Sequence, residues 1–254
     1  MKKLKSTGDK LIPVFFALGL LILWQLVVSI GGIEKYILPA PSDVIKVIIK
    51  DFNVMLPHIL ITLYEGIVGF ILSTVAALIL AIIMDISALA KKALYPLFVI
   101  SQTIPIIALA PLFIIWFGFG TLPKIIVVIL VCFFPIVISI SDGLESVDKD
   151  FINHFKLMGA SRIKVFLHLK LPYGILSFFS GMRIAATYSI MGAVVGEWLG
   201  GDKGIGVYMT RARSAYALDK MFAAIIIIVV ASMGIFILVT FIEKILTPWK
   251  RVQE

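Results

Sequence analysis

Residues 154–172 read "HFKLMGASRIKVFLHLKLP", a basic and half-polar stretch set between two long apolar runs. It holds no nucleophile–base pair, no metal-ligand spacing and no phosphate loop. As a helix it presents Phe155, Ile163, Phe166 and Leu167, with Ile152 just before, as apolar anchors, while Lys156, Arg162 and Lys164 point elsewhere. Gly159-Ala160-Ser161 interrupts that helix with small residues, and Ser161 is a side chain that caps a fresh one. Pro172 opens the next run at a tolerated first-turn position. The expected product is helix, tight glycine turn, helix, re-entry into the apolar run.

The surroundings set the class. The chain has 254 residues, is 61% hydrophobic and 15% charged, and has a mean hydropathy of +1.09. Soluble domains are nearer 45–50% apolar and about 25% charged. The apolar residues are gathered into six runs, about 11–31, 59–84, 93–117, 122–142, 172–198 and 221–246. Runs of roughly 20 apolar residues span a bilayer, and these are continuous rather than alternating, which argues for helices over strands. The expected fold class is all-α: a polytopic membrane protein with a single transmembrane domain over 1–254 and a loop at 143–171. The first run follows Lys2, Lys3, Lys5 and Lys10; it exceeds the ~7–15 residues of a signal peptide core and is read as a retained span.

The net charge of +8 does not point to nucleic acid, because the basic residues alternate with the membrane runs instead of lining one face. Placing the N-terminus in the cytoplasm puts Lys2, Lys3, Lys5, Lys10, Lys91, Lys92, Lys149, Lys156, Arg162, Lys164, Lys170, Lys250 and Arg251 inside. It leaves Lys35, Lys46, Lys50, Lys124, Lys203, Arg211, Arg213 and Lys220 outside, a split of 13 to 8. The positive-inside rule then places both termini and the 143–171 loop in the cytoplasm. Of the two outer loops, 32–58 carries "LPAPSDVIKVIIKDF". There Ser42 or Asp43 is expected to cap a short amphipathic helix whose Val44, Val47, Ile48 and Phe52 lie flat at the interface.

Small residues recur at helical spacing in two spans: Gly69, Ser73, Ala77 and Ala81, then Gly181, Ala185, Ser189, Gly192 and Gly196. Such stripes let helices approach closely, within one bundle or against a second copy. The third span contains Pro105 and Pro111, each expected to kink it, with Gln102 and Thr103 placed to satisfy freed backbone carbonyls. Glu65, Arg183 and Glu197 are ionisable residues within or at the ends of spans, so each needs a partner or a wet cavity. Gln102, Pro105, Arg183, Ser189, Gly192, Gly196 and Glu197 are therefore candidates for a pathway or for packing between copies. The lone Cys132 reads as a small buried hydrophobe, and His58, His154 and His168 have no metal-site spacing. Trp24, Trp198 and Trp249 read as interfacial anchors.

A basic amphipathic loop can rest on anionic lipid, or it can fit a groove on a cytoplasmic protein. Only the second accounts for a glycine turn at a fixed distance from Leu171-Pro172. That pattern, Gly159, nine residues, Leu169, Lys170, Leu171 and Pro172, resembles the cytoplasmic "EAA" loop of ABC-importer permeases. The E-A-A positions themselves read Asn153, His154 and Phe155, a departure from the family pattern, with Asp148 and Asp150 as nearby acids. "LPAPSDV", "IPIIALAPLFIIWFGFG" and "GDKGIGVYM" extend the resemblance to the subgroup importing taurine, alkanesulfonates, nitrate or thiamine-related pyrimidines, and "RSAYALDKMFAAI" leans to the last.

The resemblance implies a pair of permease copies, two cytoplasmic ATPase subunits and an extracytoplasmic substrate-binding protein. It implies that a coupling helix at about 157–167 seats in the ATPase, with Phe155, Leu157, Gly159, Ala160, Ser161, Arg162, Leu171 and Pro172 as the coupling residues. ATP and magnesium would sit on the partner ATPase and no cofactor on this chain. The residues agree that there is no GxxxxGK[ST]; "GGDKGIG" at 200–206 lacks the Lys-Ser/Thr. The rival from the residues alone is an ion-coupled transporter or channel, for which inverted repeats and further intramembrane charges are missing. A membrane-embedded enzyme would need a cluster of catalytic side chains at depth, and none is visible.

Overall fold

The computed structural model describes residues 7–248, and the expectations on Lys2, Lys3, Lys5, Trp249, Lys250 and Arg251 fall outside them. The described residues form helices α1 (Thr7–Ile30), α2 (Pro41–Lys50), α3 (Phe52–Ile86), α4 (Ala88–Ser101), α5 (Ile106–Phe117), α6 (Leu122–Glu145), α7 (Lys149–Leu157), α8 (Arg162–Val165), α9 (Leu171–Gly200), α10 (Ile205–Ser214) and α11 (Leu218–Leu246). A π-helical turn, Phe166–Lys170, joins α8 to α9. Five helical stretches are long and apolar enough to cross a membrane, or six if the bent pair α4–α5 is one span.

The centre of the bundle is the α6–α9 pair, with α3 laid across α6 and α11 against α9. The glycine stripe explains how close that pair comes. A Cβ on Gly181 would lie 2.8 Å from the Pro135 carbonyl oxygen, and one on Gly196 would lie 3.0 Å from Lys124 Cα. Gly192 faces Val128 and Val131, and Gly69 on α3 faces Val128 from the other side. Ser73, Ala77, Ala81, Ala185 and Ser189 are buried with Cys132 in the same interior. Both stripes are thus seams within one copy. Gly192 and Gly196 face α6, and Ser189 is buried in the interior of the chain.

Two local expectations are corrected. Pro111 sits inside α5 without breaking it, whereas α4 stops at Ser101 and Pro105 stands as the N-cap of α5, so the third span is two helices meeting at 102°. Pro111 gives up one backbone bond inside α5 without breaking it, whereas Pro105 biases the residue before it away from helical geometry. The α2 helix starts from Ala40 with Pro41 at its first position, and neither Ser42 nor Asp43 caps it. Its Val44 is fully buried against Met55, Ala223 and Ala224, so this face packs on α3 and α11; Phe52 belongs to α3. Outside the bundle, α1 lies at the edge, touching α2 and exposed along most of its length.

Gly181→Leu should therefore force α9 off α6 and cost about 1–3 kcal/mol. Gly192→Ala, whose new atom meets neighbours at 3.3 Å and beyond, should cost far less. Thermal unfolding of the detergent-solubilised variants checks both.

Candidate functional site

The 143–171 segment is built as helix, turn and helix. Asp148 opens α7, its Oδ1 accepting from the Asp150 N–H at 2.9 Å. Past Leu157 the chain reverses at Gly159, whose φ of +79° L-residues rarely adopt. The Gly159 and Ala160 N–H groups donate back to the carbonyls of Lys156 and Phe155. Ser161 Oγ then accepts from the Lys164 N–H at 3.4 Å and starts α8. Leu171 and Pro172, half-buried, begin α9 without a break.

The coupling helix expected at 157–167 begins later, at Arg162, because 158–161 is spent on the turn. Ile163 is not an anchor; it is exposed, whereas Val165 is buried and Phe166 packs on the core. At the tip, Leu157 and Met158 are 86% and 84% exposed, which leaves two large apolar side chains in the open. Beside the tip lies a cavity of about 770 Å³ walled by Ile86, Asn153, Lys156 and Arg162. Ion pairs tie this end to the bundle: Lys170 to Asp85 at 2.6 Å, and Lys91 to Glu145. The Tyr95 hydroxyl adds a bond to Asp142 at 2.9 Å.

At the opposite end three helices bring buried charges together. Lys124 of α6 lies 3.1 Å from Glu65 of α3, and both are buried. Glu197 of α9 accepts from the Thr62 hydroxyl at 2.6 Å and from the Gly206 N–H at 2.5 Å. Thr62 in turn accepts from the Ile205 N–H at 2.8 Å, and the Gly204 N–H donates to His58 Nδ1 at 3.0 Å. The connection "GGDKGIG" is therefore gripped from α3 and α9, with Lys124 reaching the Lys203 carbonyl at 3.4 Å. Its glycines serve this grip: Gly204 has φ +124°, and a Cβ there would strike the Glu197 carboxylate. Burial pushes the Tyr208 phenol of α10 above its ordinary range.

Of the expected charges, Glu197 and Glu65 lie inside this cluster, both buried. Arg183 sits further toward the loop end, paired with Glu243 of α11 and donating to Ser180 Oγ at 3.0 Å. Gln102 and Pro105 stand apart from both, at the α4–α5 break. Thr103 donates to the Ile100 carbonyl there, as expected, but the Gln102 carboxamide does not bond the freed carbonyls. Trp24 is half-buried, tilted against Phe222, while Trp198 is exposed. Sequence reasoning missed Lys124, which it placed with the exposed outer residues, and missed Thr62 and His58. The available signal was that Glu65, Glu197 and Lys124 share one end of three neighbouring spans.

A family of binding-protein-dependent transport system inner membrane components matches residues 73–252 of the chain. The chain belongs to that family. It is 35% identical to the formylaminopyrimidine transport permease protein ThiX of Halalkalibacterium halodurans, over 98% of this chain and 100% of that one. It is 31% identical to the riboflavin transport system permease protein RibX of Chloroflexus aurantiacus, over 94% and 90%. The putative aliphatic sulfonates permease SsuC of Bacillus subtilis is 27% identical over 92% and 86%. In fold it is similar to the inward-facing MetNI methionine ABC transporter, with a TM-score of 0.58, 17% identity, and coverage of 75% of this chain and 93% of that one.

The chain is accordingly the permease component of an importer, a multi-pass inner-membrane protein and not a catalyst; ATP hydrolysis lies with a separate subunit. Within this permease the buried cluster is a fastening for the α9–α10 connection. Lys124→Met should leave buried carboxylates without their cation and cost on the order of 3–5 kcal/mol. Removing Glu65 as well, in Lys124→Met with Glu65→Met, should recover most of that loss, measured as the unfolding midpoint in detergent.

Proposed function

We propose that two copies of this permease pair around a central pathway and import a thiamine-precursor pyrimidine. Substrate arrives from an extracytoplasmic binding protein, and two cytoplasmic ATPase subunits, carrying ATP and magnesium, drive the cycle. No cofactor is bound by this chain itself. In this orientation both termini and the 143–171 loop face the cytoplasm. The observation that carries the coupling role is the apolar tip Leu157–Met158, held out on the turn at Gly159. Large apolar side chains exposed at the end of a rigid turn mark a protein contact. The pyrimidine assignment is supported by the full-length 35% identity to ThiX.

Closure of the ATPase pair on ATP would pull the tip and bias the bundle between two openings, since a ligand shifts a two-state element only through its differential binding. Leu157, Met158 and Ile163 fill a groove on the ATPase; Phe155, Ala160, Ser161 and Arg162 shape and fix the turn; Leu171 and Pro172 join it to α9.

Gly159→Val, forced into a left-handed conformation at about 1–2 kcal/mol, should insert normally yet capture the ATPase at least tenfold less well in co-purification. Leu157→Asp should do the same without touching the backbone. Normal ATPase capture by both variants would overturn the coupling role. For the substrate, the partner binding protein should show a larger thermal shift with a formylaminopyrimidine than with taurine, nitrate or riboflavin.

A further inference from the structure

We infer that the break between α4 and α5 is a substrate site inside the membrane, built for a neutral, planar nitrogen heterocycle and not for an anion. The inference rests on the proposed transport function and adds to it a selecting site on the permease. A cavity of about 410 Å³ lies at the break, within the size range of small-molecule sites. Its walls come from the middle of α6 (Leu130 and Phe134) and the middle of α9 (Tyr188 and Met191), so it sits near the centre of the span.

Of the polar groups around this cavity, the Ser101 hydroxyl is spent on the Leu97 carbonyl at 2.7 Å, but others are not. The carbonyls of the lining residues Gln102 and Ile104 accept no hydrogen bond, because Pro105 cannot donate and α5 starts only at Ile106. The Gln102 carboxamide and the Tyr188 hydroxyl, both exposed and both lining the cavity, make no hydrogen bond within the chain. Irregular backbone at membrane depth persists only where it is buried in protein or lines a wet cavity. Broken helices in transporters place their loose ends at the bound solute for the same reason.

The chemistry of the lining selects the ligand class. Acceptor carbonyls, one carboxamide that both donates and accepts, and one hydroxyl match the alternating ring nitrogens and amino group of an aminopyrimidine. Phe134 and Met191 offer flat, polarisable contacts to a ring face. None of the described lining residues is Lys, Arg, His, Asp or Glu. The intramembrane charges named above are committed elsewhere, Lys124 with Glu65 and Arg183 with Glu243. A desolvated sulfonate or nitrate would find no cation here, at a cost that a neutral ring escapes.

The test uses the full permease reconstituted in proteoliposomes with its ATPase and binding protein. Uptake of a radiolabelled formylaminopyrimidine should fall at least tenfold in Gln102→Leu and in Tyr188→Leu. Binding-protein-stimulated ATP hydrolysis should stay within twofold of the parent. Photolabelling of the unmodified complex with an azidopyrimidine should mark the peptides carrying Gln102 or Tyr188, and excess taurine should not protect them. Unchanged uptake in both variants, uptake lost only in step with ATP hydrolysis, or labelling confined to other segments would each overturn the membrane site while leaving the importer intact. An unmodified complex that hydrolyses ATP but takes up taurine and not the pyrimidine would overturn the substrate class of both readings.

Discussion

The bundle depends on the closeness of α6 and α9. Lipid tails are as apolar as the side chains they would replace, so burial of oil gives these helices no reason to associate. What remains is contact at short range, and that requires one partner to have no side chain in the way. Gly181 against the Pro135 carbonyl and Gly196 against the Lys124 backbone supply that condition at both ends of the seam. Everything else is referred to this pair: α3 packs across it, α11 leans on it, and the broken third span closes over its flank.

The same closeness makes a buried charge tolerable. Lys124 reaches Glu65 because α6 carries it between α3 and α9, and with both groups buried each offsets part of the hydration the other has lost. Glu197 takes a different course, spending both its oxygens on a hydroxyl and a backbone N–H of the following loop. Two acids one helix apart thus do separate jobs, one neutralising a cation and the other fixing a loop. Charge in this membrane interior is structural at one end and, as Arg183 with Glu243, again toward the other.

Much of this was legible beforehand. Continuous apolar runs locate the long helices because a bilayer sets their length, and Gly159 with Ser161 announces a turn and a new helix through local chemistry alone. The remainder depended on tertiary placement. Lys124 follows Pro123 at the start of a span, where sequence gives every reason to expect a solvated amine; only the arrival of Glu65 from another helix buries it. Val44 reads as an interfacial side chain until α11 is found beneath it. Pro105 and Pro111 look equivalent in a row of residues, yet the first stands at the N-cap of α5 and the second rides within it. Ile163 fits an apolar stripe by periodicity but faces outward, since the turn at Gly159 rotates the helix that follows.

One element touches every place of interest. From Leu171 to Gly200, α9 is unbroken, roughly 45 Å at 1.5 Å per residue. Its foot grows directly out of the π-helical turn below the exposed tip, its waist bears Tyr188, and its head holds the next connection through Glu197. A continuous helix resists bending, so a displacement at one end favours displacement along its length. A tilt imposed at the foot is thereby passed on toward waist and head.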